Sequence, residues 1–203
     1  MTSIITGDII NSRKLPSTVW MSGLKQLFNT KGEAPIKWEI YRGDEFQLEI
    51  DNPAEALLTA IQIKAYLKTV QLDARISIGI GDKTYQAETI SESNGSAFIN
   101  SGELFDVLKK RKITLAVNSG HAELDSEINL MLQLGLTFID NWSVQSAELV
   151  LATISNDSLS QEEIGKQLGI NQAAVSRRRK RAQFDLLLEL DAYFRKKINS
   201  LTS

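Results

Sequence analysis

The chain has 203 residues, no cysteine and one histidine, which excludes disulfides, cysteine nucleophiles, and thiolate or multi-histidine metal sites. Any metal must be held mainly by carboxylates and carbonyls, which points to Mg²⁺, Mn²⁺ or Ca²⁺ rather than zinc. Hydrophobic residues make up 42% and charged residues 24%, no apolar run nears the ~20 residues of a membrane span, and no basic-then-apolar leader opens the chain, so the expectation is a globular protein in the cytoplasm with no membrane partner.

Ser3 to Ile10 reads as a short strand, and Pro16 stands near the start of a helical stretch carrying Val19, Leu24, Leu27 and Phe28. Ile36, Trp38 and Ile40 alternate with polar residues, and Phe46, Leu48 and Ile50 do so again beyond Arg42-Gly43-Asp44-Glu45, which predicts a β-hairpin with a Gly-Asp tip. On that pattern Glu39 and Glu49 belong to a solvated face. Pro53 opens a helix with Leu57, Leu58, Ile61 and Ala65 on one side, and Ala74 to Gly81 (ARISIGIG) is a further strand. Ser91 to Gly95 reads as a flexible loop. Ser101 is expected to cap a helix running through Lys110, Ile113 to Val117 is another strand, and Ala122 to Leu134 is helical with His121 at its surface start.

The order β-α-β-β-α-β followed by αβα predicts an α+β fold of the split βαβ, or ferredoxin-like, kind with additions. Strand signals stop at Asn141, so two domains are expected, 1–140 and 141–203. Charge divides similarly. From Gln161 onward nine basic and five acidic residues give +4, while fourteen basic and twenty acidic residues before it give −6. A basic tail on an acidic body suggests that the tail meets a polyanion.

Asp8 follows the first strand (ITGDIINSR) and Asp44 sits at the hairpin tip (YRGDEFQ). In a split βαβ sheet these lie side by side, and two neighbouring carboxylates repel unless a cation sits between them. Mg²⁺ needs few protein ligands and takes phosphate oxygens for the rest. Asn11 and Ser12 offer backbone N–H groups to a phosphate, and Arg13 and Arg42 could add charge-assisted bonds. The alternative is that both Gly-Asp pairs are ordinary turn residues.

Here RGDEF resembles the hairpin signature of diguanylate cyclases, RISIGIG is similar to their next strand, and GSAFINSGELFD is similar to a late segment of class III cyclases. The resemblance implies a palm-type nucleotidyl cyclase-like domain, with Asp8 and Asp44 as Mg²⁺ (or Mn²⁺) ligands and Gly7, Ile9, Gly43, Glu45 and Asn100 joining Asn11, Ser12, Arg13 and Arg42 around a nucleotide. Class III cyclases place an arginine shortly after the asparagine matched by Asn100, where this chain has Gly102, Glu103 and Leu104. The loss of that charge favours binding over turnover.

Leu159 to Ala182 reads LSQEEIGKQLGINQAAVSRRRKRA. Ser160 and Glu163 form a capping box, Ile164 and Leu168 face inward, and Gly165 is small where a second helix must cross. Gly169 suits a φ > 0 turn, Ile170 plugs the gap, and Asn171 caps a second helix whose Val175 packs back. This resembles the helix-turn-helix of bacterial transcription regulators, with Trp142 to Ile154 as support helix. By that resemblance Gln172, Ala173, Ser176 and Arg177 would face bases, with Arg178, Lys180 and Arg181 near phosphates. Arg178 and Arg179 stand where such motifs carry a further apolar plug, and a helical hairpin serving only protein contact is the alternative. The apolar face of Phe184, Leu187, Leu188, Leu190, Tyr193 and Phe194 suits a homodimer or docking on the main domain.

Taken whole, the chain resembles the SatD family of small bacterial proteins. The expected function is a DNA-binding regulator whose palm-like domain binds a nucleotide and a divalent metal. The alternative is an active nucleotidyl cyclase, or another nucleotidyl or phosphoryl transferase, with a regulatory helical tail.

Overall fold

In the computed structural model, which describes residues 1–156 and 158–202, the chain is a mixed α+β protein. Strand β1 (Thr2–Ile10) leads to helix α1 (Ser17–Asn29), the hairpin β2 (Trp38–Tyr41) and β3 (Glu45–Ile50), helix α2 (Ala56–Thr69) and strand β4 (Asp73–Gly81). Helix α3 (Ser96–Arg111), strand β5 (Leu115–Asn118) and helices α4 (Ala122–Ile139), α5 (Val144–Ser155), α6 (Gln161–Leu168), α7 (Gln172–Arg181) and α8 (Phe184–Thr202) complete the described chain.

The five strands run in the order β2-β3-β1-β4-β5, antiparallel except for the β4–β5 pair. β1 is therefore interior, and its register is held from both sides: Ile5 faces Leu48 and Ile78, and Asp8 faces Glu45 and Arg75. Because side chains alternate, the sheet has two different faces. Ile5, Ile9, Phe46, Leu48, Ile76 and Ile78 belong to the main core with α1, α2 and α4. Gly7 lies among them, where a Cβ would come within 2.4 Å of the Phe46 ring, so this glycine makes room for an aromatic side chain.

The other face is covered by α3 and is polar at its centre. Ser101, fully buried, shares a hydrogen bond with the Thr6 hydroxyl at 2.9 Å, and Ser77 donates to the Ser101 carbonyl at 2.8 Å. Ser101 was the expected helix cap, yet α3 begins five residues earlier at Ser96, and the hydroxyl instead pairs across the helix–sheet interface. Gly79 lets this helix approach: a Cβ there would stand 2.2 Å from the Ala97 carbonyl oxygen and 2.3 Å from the Ser101 nitrogen. Glu49 also departs from the expected solvated face. It is 2% exposed and held by Lys83 at 2.6 Å and Lys37 at 3.2 Å, since the loop before α3 covers this side of the hairpin. Residues 91–95 are likewise tied down, with Asn94 pairing Tyr85 and Ser93 buried.

Helix α2 is buried nearly all round, as expected of an element packed between layers. Even Lys64 is fully buried, its ammonium paired with Asp73 at 2.7 Å and Asp140 at 3.0 Å and donating to the Ala74 carbonyl. Such a charge is tolerable only with its partners in place. A short turn separates α4 from α5, and the core crosses it: Trp142, Val150, Phe184, Leu187, Phe194 and Ile198 join the cluster built on the sheet. The indole N–H of Trp142 donates to the Ala182 carbonyl at 2.9 Å.

Gly79→Ala should drive α3 off β4, because the obstacles are backbone atoms; urea melts should show about 1–3 kcal/mol of lost stability. Asp191, buried on α8 with Oδ1 unpartnered, has its carboxyl pushed above the ordinary 3.8 by burial, with Arg195 opposing the rise. A raised acid pKa means the ionised form costs the fold stability, and that cost grows as pH climbs through the folded pKa. Asp191→Asn should therefore raise Tm at pH 7, with the gain vanishing once pH falls below 3.8.

Candidate functional site

Two surfaces carry the residues singled out by the sequence. The first lies where β1 ends. Antiparallel register on both sides puts Glu45, Asp8 and Arg75 in one row across β3, β1 and β4, on the α3 face. Asp44 closes the row from the hairpin, its carbonyl accepting the Ile9 N–H at 3.1 Å and its carboxylate accepting the Ser12 hydroxyl. Asn11 adopts a left-handed conformation (φ 64°), and residues 12–14 form one turn of 3₁₀ helix beyond it. A cavity of about 450 Å³ results, walled by residues 8–14, Asp44 and Arg75.

Charges of both signs meet here. Arg75 Nη1 contacts Asp8 at 2.9 Å, and Lys109, from the last turn of α3, contacts Glu45 at 3.0 Å. Burial pushes the Asp8 carboxyl above its ordinary 3.8; Arg75 and Lys109 pull it back, while Asp44 and Glu45 push it further up. Asp8 is thus a carboxylate whose ionisation is incompletely compensated by the protein. A cation beside it would favour the charged form. Among the described residues no group of three or more Asp, Glu or His converges as a metal cage. Asp8 and Asp44, which line one cavity, are the carboxylates that could hold a cation such as Mg²⁺, whose remaining ligands would be water and phosphate.

Of the residues expected around a nucleotide, Ile9, Asn11, Ser12 and Arg13 wall this cavity, with Glu45 beside Asp8. Gly7 turns toward Phe46, on the other face of the sheet. Arg42 and Gly43 form the exposed hairpin tip, both with positive φ, and among the described residues Arg42 makes an ion pair with Glu45 alone, at 3.7 Å. Asn100 is not brought to the cavity. It sits toward the far end of β4 and donates to the Ile80 carbonyl at 2.8 Å. Sequence reading missed Arg75 and Lys14. Arg75 was visible inside ARISIGIG as the single charge on an otherwise apolar strand, but only the register with Asp8 gives it meaning.

The second surface is formed by α5, α6 and α7. Ser160 and Glu163 make both halves of a capping box, Gly169 takes a left-handed turn (φ 66°), and Asn171 caps α7 through Ala174 N–H. Ile164 and Val175 pack with Leu149 and Ala152 of α5 in a small core of their own. Gly165 permits the crossing, because a Cβ there would lie 2.7 Å from the Ile170 carbonyl.

The α7 arginines divide into two groups. Arg178 pairs with Glu148 of α5 at 3.0 Å, and Arg179 pairs with Asp185 and lies over the Phe184 ring. Those two bind the helices together in place of an apolar plug, and buried Ala182 fills the end of the interface. Arg177, Lys180 and Arg181 are exposed and, among the described residues, make no ion pair; Gln172, Ala173 and Ser176 are exposed with them. Arg178, expected near phosphates, is instead committed to α5.

A model of the SatD family matches residues 3–200, and the chain belongs to that family. No curated protein matches it, and neither does any solved structure. None of the described helices is long and apolar enough to cross a membrane.

Because the small α5–α7 core rests on few side chains, Val175→Ala should loosen it by about 2 kcal/mol. Hydrogen exchange should report the loss in α6 and α7 while β1 and β4 stay protected.

Proposed function

Starting from SatD-family membership, we propose that the chain is a DNA-binding regulator whose sheet domain binds a nucleotide together with a divalent cation. The observation that carries the DNA reading is the division of α7. Arg178 and Arg179 are spent inside the molecule, while Arg177, Lys180 and Arg181 are left facing outward on a capped helix with Gln172 and Ser176. This is the arrangement a helix-turn-helix needs: an inner face that fixes the angle of the second helix and an outer face of donors for phosphates and base edges. The +4 charge from Gln161 onward would draw that face to a polyanion.

The nucleotide reading is supported by the strand order β2-β3-β1-β4, which is that of a ferredoxin-like or palm sheet, and by Asp8 and Asp44 sharing one cavity with Arg13, Lys14 and Arg75. Mg²⁺ or Mn²⁺ held by the two carboxylates would screen phosphate charge. Arg13 and Lys14 would bind the phosphate oxygens, and the 11–14 turn would limit how the ligand enters. Binding is preferred to turnover, because Asn100 lies away from the cavity and Gly102, Glu103 and Leu104 follow it where cyclases place an arginine. Paired half-sites would call for two α7 helices, hence a homodimer.

Fluorescence anisotropy with labelled duplexes from a genomic library should reveal salt-sensitive binding. Arg177→Ala and Lys180→Ala should each weaken it and lower the salt slope by about 1, with Tm unchanged within about 0.5 kcal/mol of stability. Absence of binding to every duplex at low salt would end the DNA reading.

A further inference from the structure

Arg75 holds Asp8 with a fraction of its capacity. Nη1 alone makes the contact, at 2.9 Å and 3.3 Å to the two carboxylate oxygens, so the parallel two-nitrogen fork of a strong arginine–carboxylate pair is not formed. Nε is buried with no partner, and the Arg75 side chain makes no other hydrogen bond among the described residues. The neighbouring groups are committed. Lys109 serves Glu45 and lies over the Phe105 ring, and Ser12 occupies one oxygen of Asp44, leaving Oδ1 open. The cavity walls carry three basic side chains, Arg13, Lys14 and Arg75, against two acidic ones, Asp8 and Asp44.

We propose that Arg75 is an exchangeable counter-ion: a divalent cation takes its place on Asp8, and the released guanidinium takes a phosphate oxygen of the same ligand. The site is thereby selective for a metal-chelated polyphosphate, the class that includes nucleoside di- and triphosphates, over either component alone. This rests on the reading of the Asp8 cavity as a metal–nucleotide site.

Electrostatics supplies the reason. A bare cation that displaces Arg75 leaves a side chain that is four-fifths buried without its carboxylate, in a cavity whose walls already carry more basic than acidic side chains. A polyphosphate without metal either finds Arg75 still held by Asp8 or, in drawing it away, leaves that carboxylate without its counter-ion. Only the chelate satisfies both at once, placing its cation against Asp8 and Asp44 Oδ1 and its oxygens against the unused donors of Arg75.

The test uses the full chain, with Mn²⁺ binding followed by electron paramagnetic resonance and tripolyphosphate binding by calorimetry, each with and without Mg²⁺. The wild type should bind Mn²⁺ alone weakly and bind tripolyphosphate on the order of tenfold more tightly when Mg²⁺ is present, the scale of one additional charge-assisted hydrogen bond. Arg75→Met, which keeps the apolar stem, should bind Mn²⁺ alone more tightly and lose the preference for the chelate. If Arg75→Met leaves Mn²⁺ affinity unchanged or weaker, or keeps the chelate preference, the exchange is refuted; should the chelate still bind and Asp8→Asn abolish it, the site itself stands. If the wild type binds neither Mn²⁺ nor the chelate, both the exchange and the underlying reading fall. Should Arg75→Met not fold, the assigned Arg75 Nε–Hε resonance of the wild type decides the matter. It should shift strongly with Mg²⁺ plus tripolyphosphate and little with either alone; equal shifts with Mg²⁺ alone would overturn the proposal.

Discussion

The register of β1 between β3 and β4 is the constraint on which the rest of the molecule depends. Hydrogen bonds on both edges fix which residues of β1 face the helical core and which face α3. A slip of one residue would turn Asp8 into the apolar layer and Ile9 onto the charged row. With the register held, Ile5 and Ile9 enter the core, Thr6 meets Ser101, and Asp8 stands between Glu45 and Arg75. The same alternation that builds the core therefore builds the candidate site. Gly7 shows how tightly the two are joined: its missing Cβ admits Phe46, and its neighbour is the carboxylate.

Much of this was legible in the sequence where a strand has one apolar and one polar face. The alternation around Trp38 and Phe46 marks the hairpin, and the strand order of a split βαβ sheet places that hairpin beside the strand of Asp8. The rule fails where polar residues face protein instead of water. Glu49 looks solvent-facing by pattern, yet Thr2, Lys37 and Lys83 enclose it, and Ser101, which reads as a helix cap, lies inside α3 and pairs with Thr6 of the sheet. Arg75 escaped notice for a related reason. Its meaning lies in a partner 67 residues away, which only the antiparallel pairing of β1 with β4 reveals.

In the C-terminal part, local chemistry was the better guide. Caps and turns are short-range devices, so Ser160, Glu163, Gly169 and Asn171 could be assigned from spacing alone. The division of the arginines was not legible, since Glu148 and Asp185 lie outside the motif. The apolar face of α8 suited either a dimer or the main domain, and Phe184, Leu187, Phe194 and Ile198 extend the main core. The main core also packs against α5, whose other side carries the small core of α6 and α7, and Trp142 bonds to the end of α7. A ligand that stiffens one core can bias the other only through such continuous contact.

As proposed, the cavity and the outer face of α7 belong to one regulator. The most direct measurement is the affinity of the full chain for its best duplex, with and without Mg²⁺ and a mixture of nucleoside triphosphates. A change in Kd that disappears in Asp8→Asn is the predicted result. An unchanged Kd, with the chelate demonstrably bound, would contradict it.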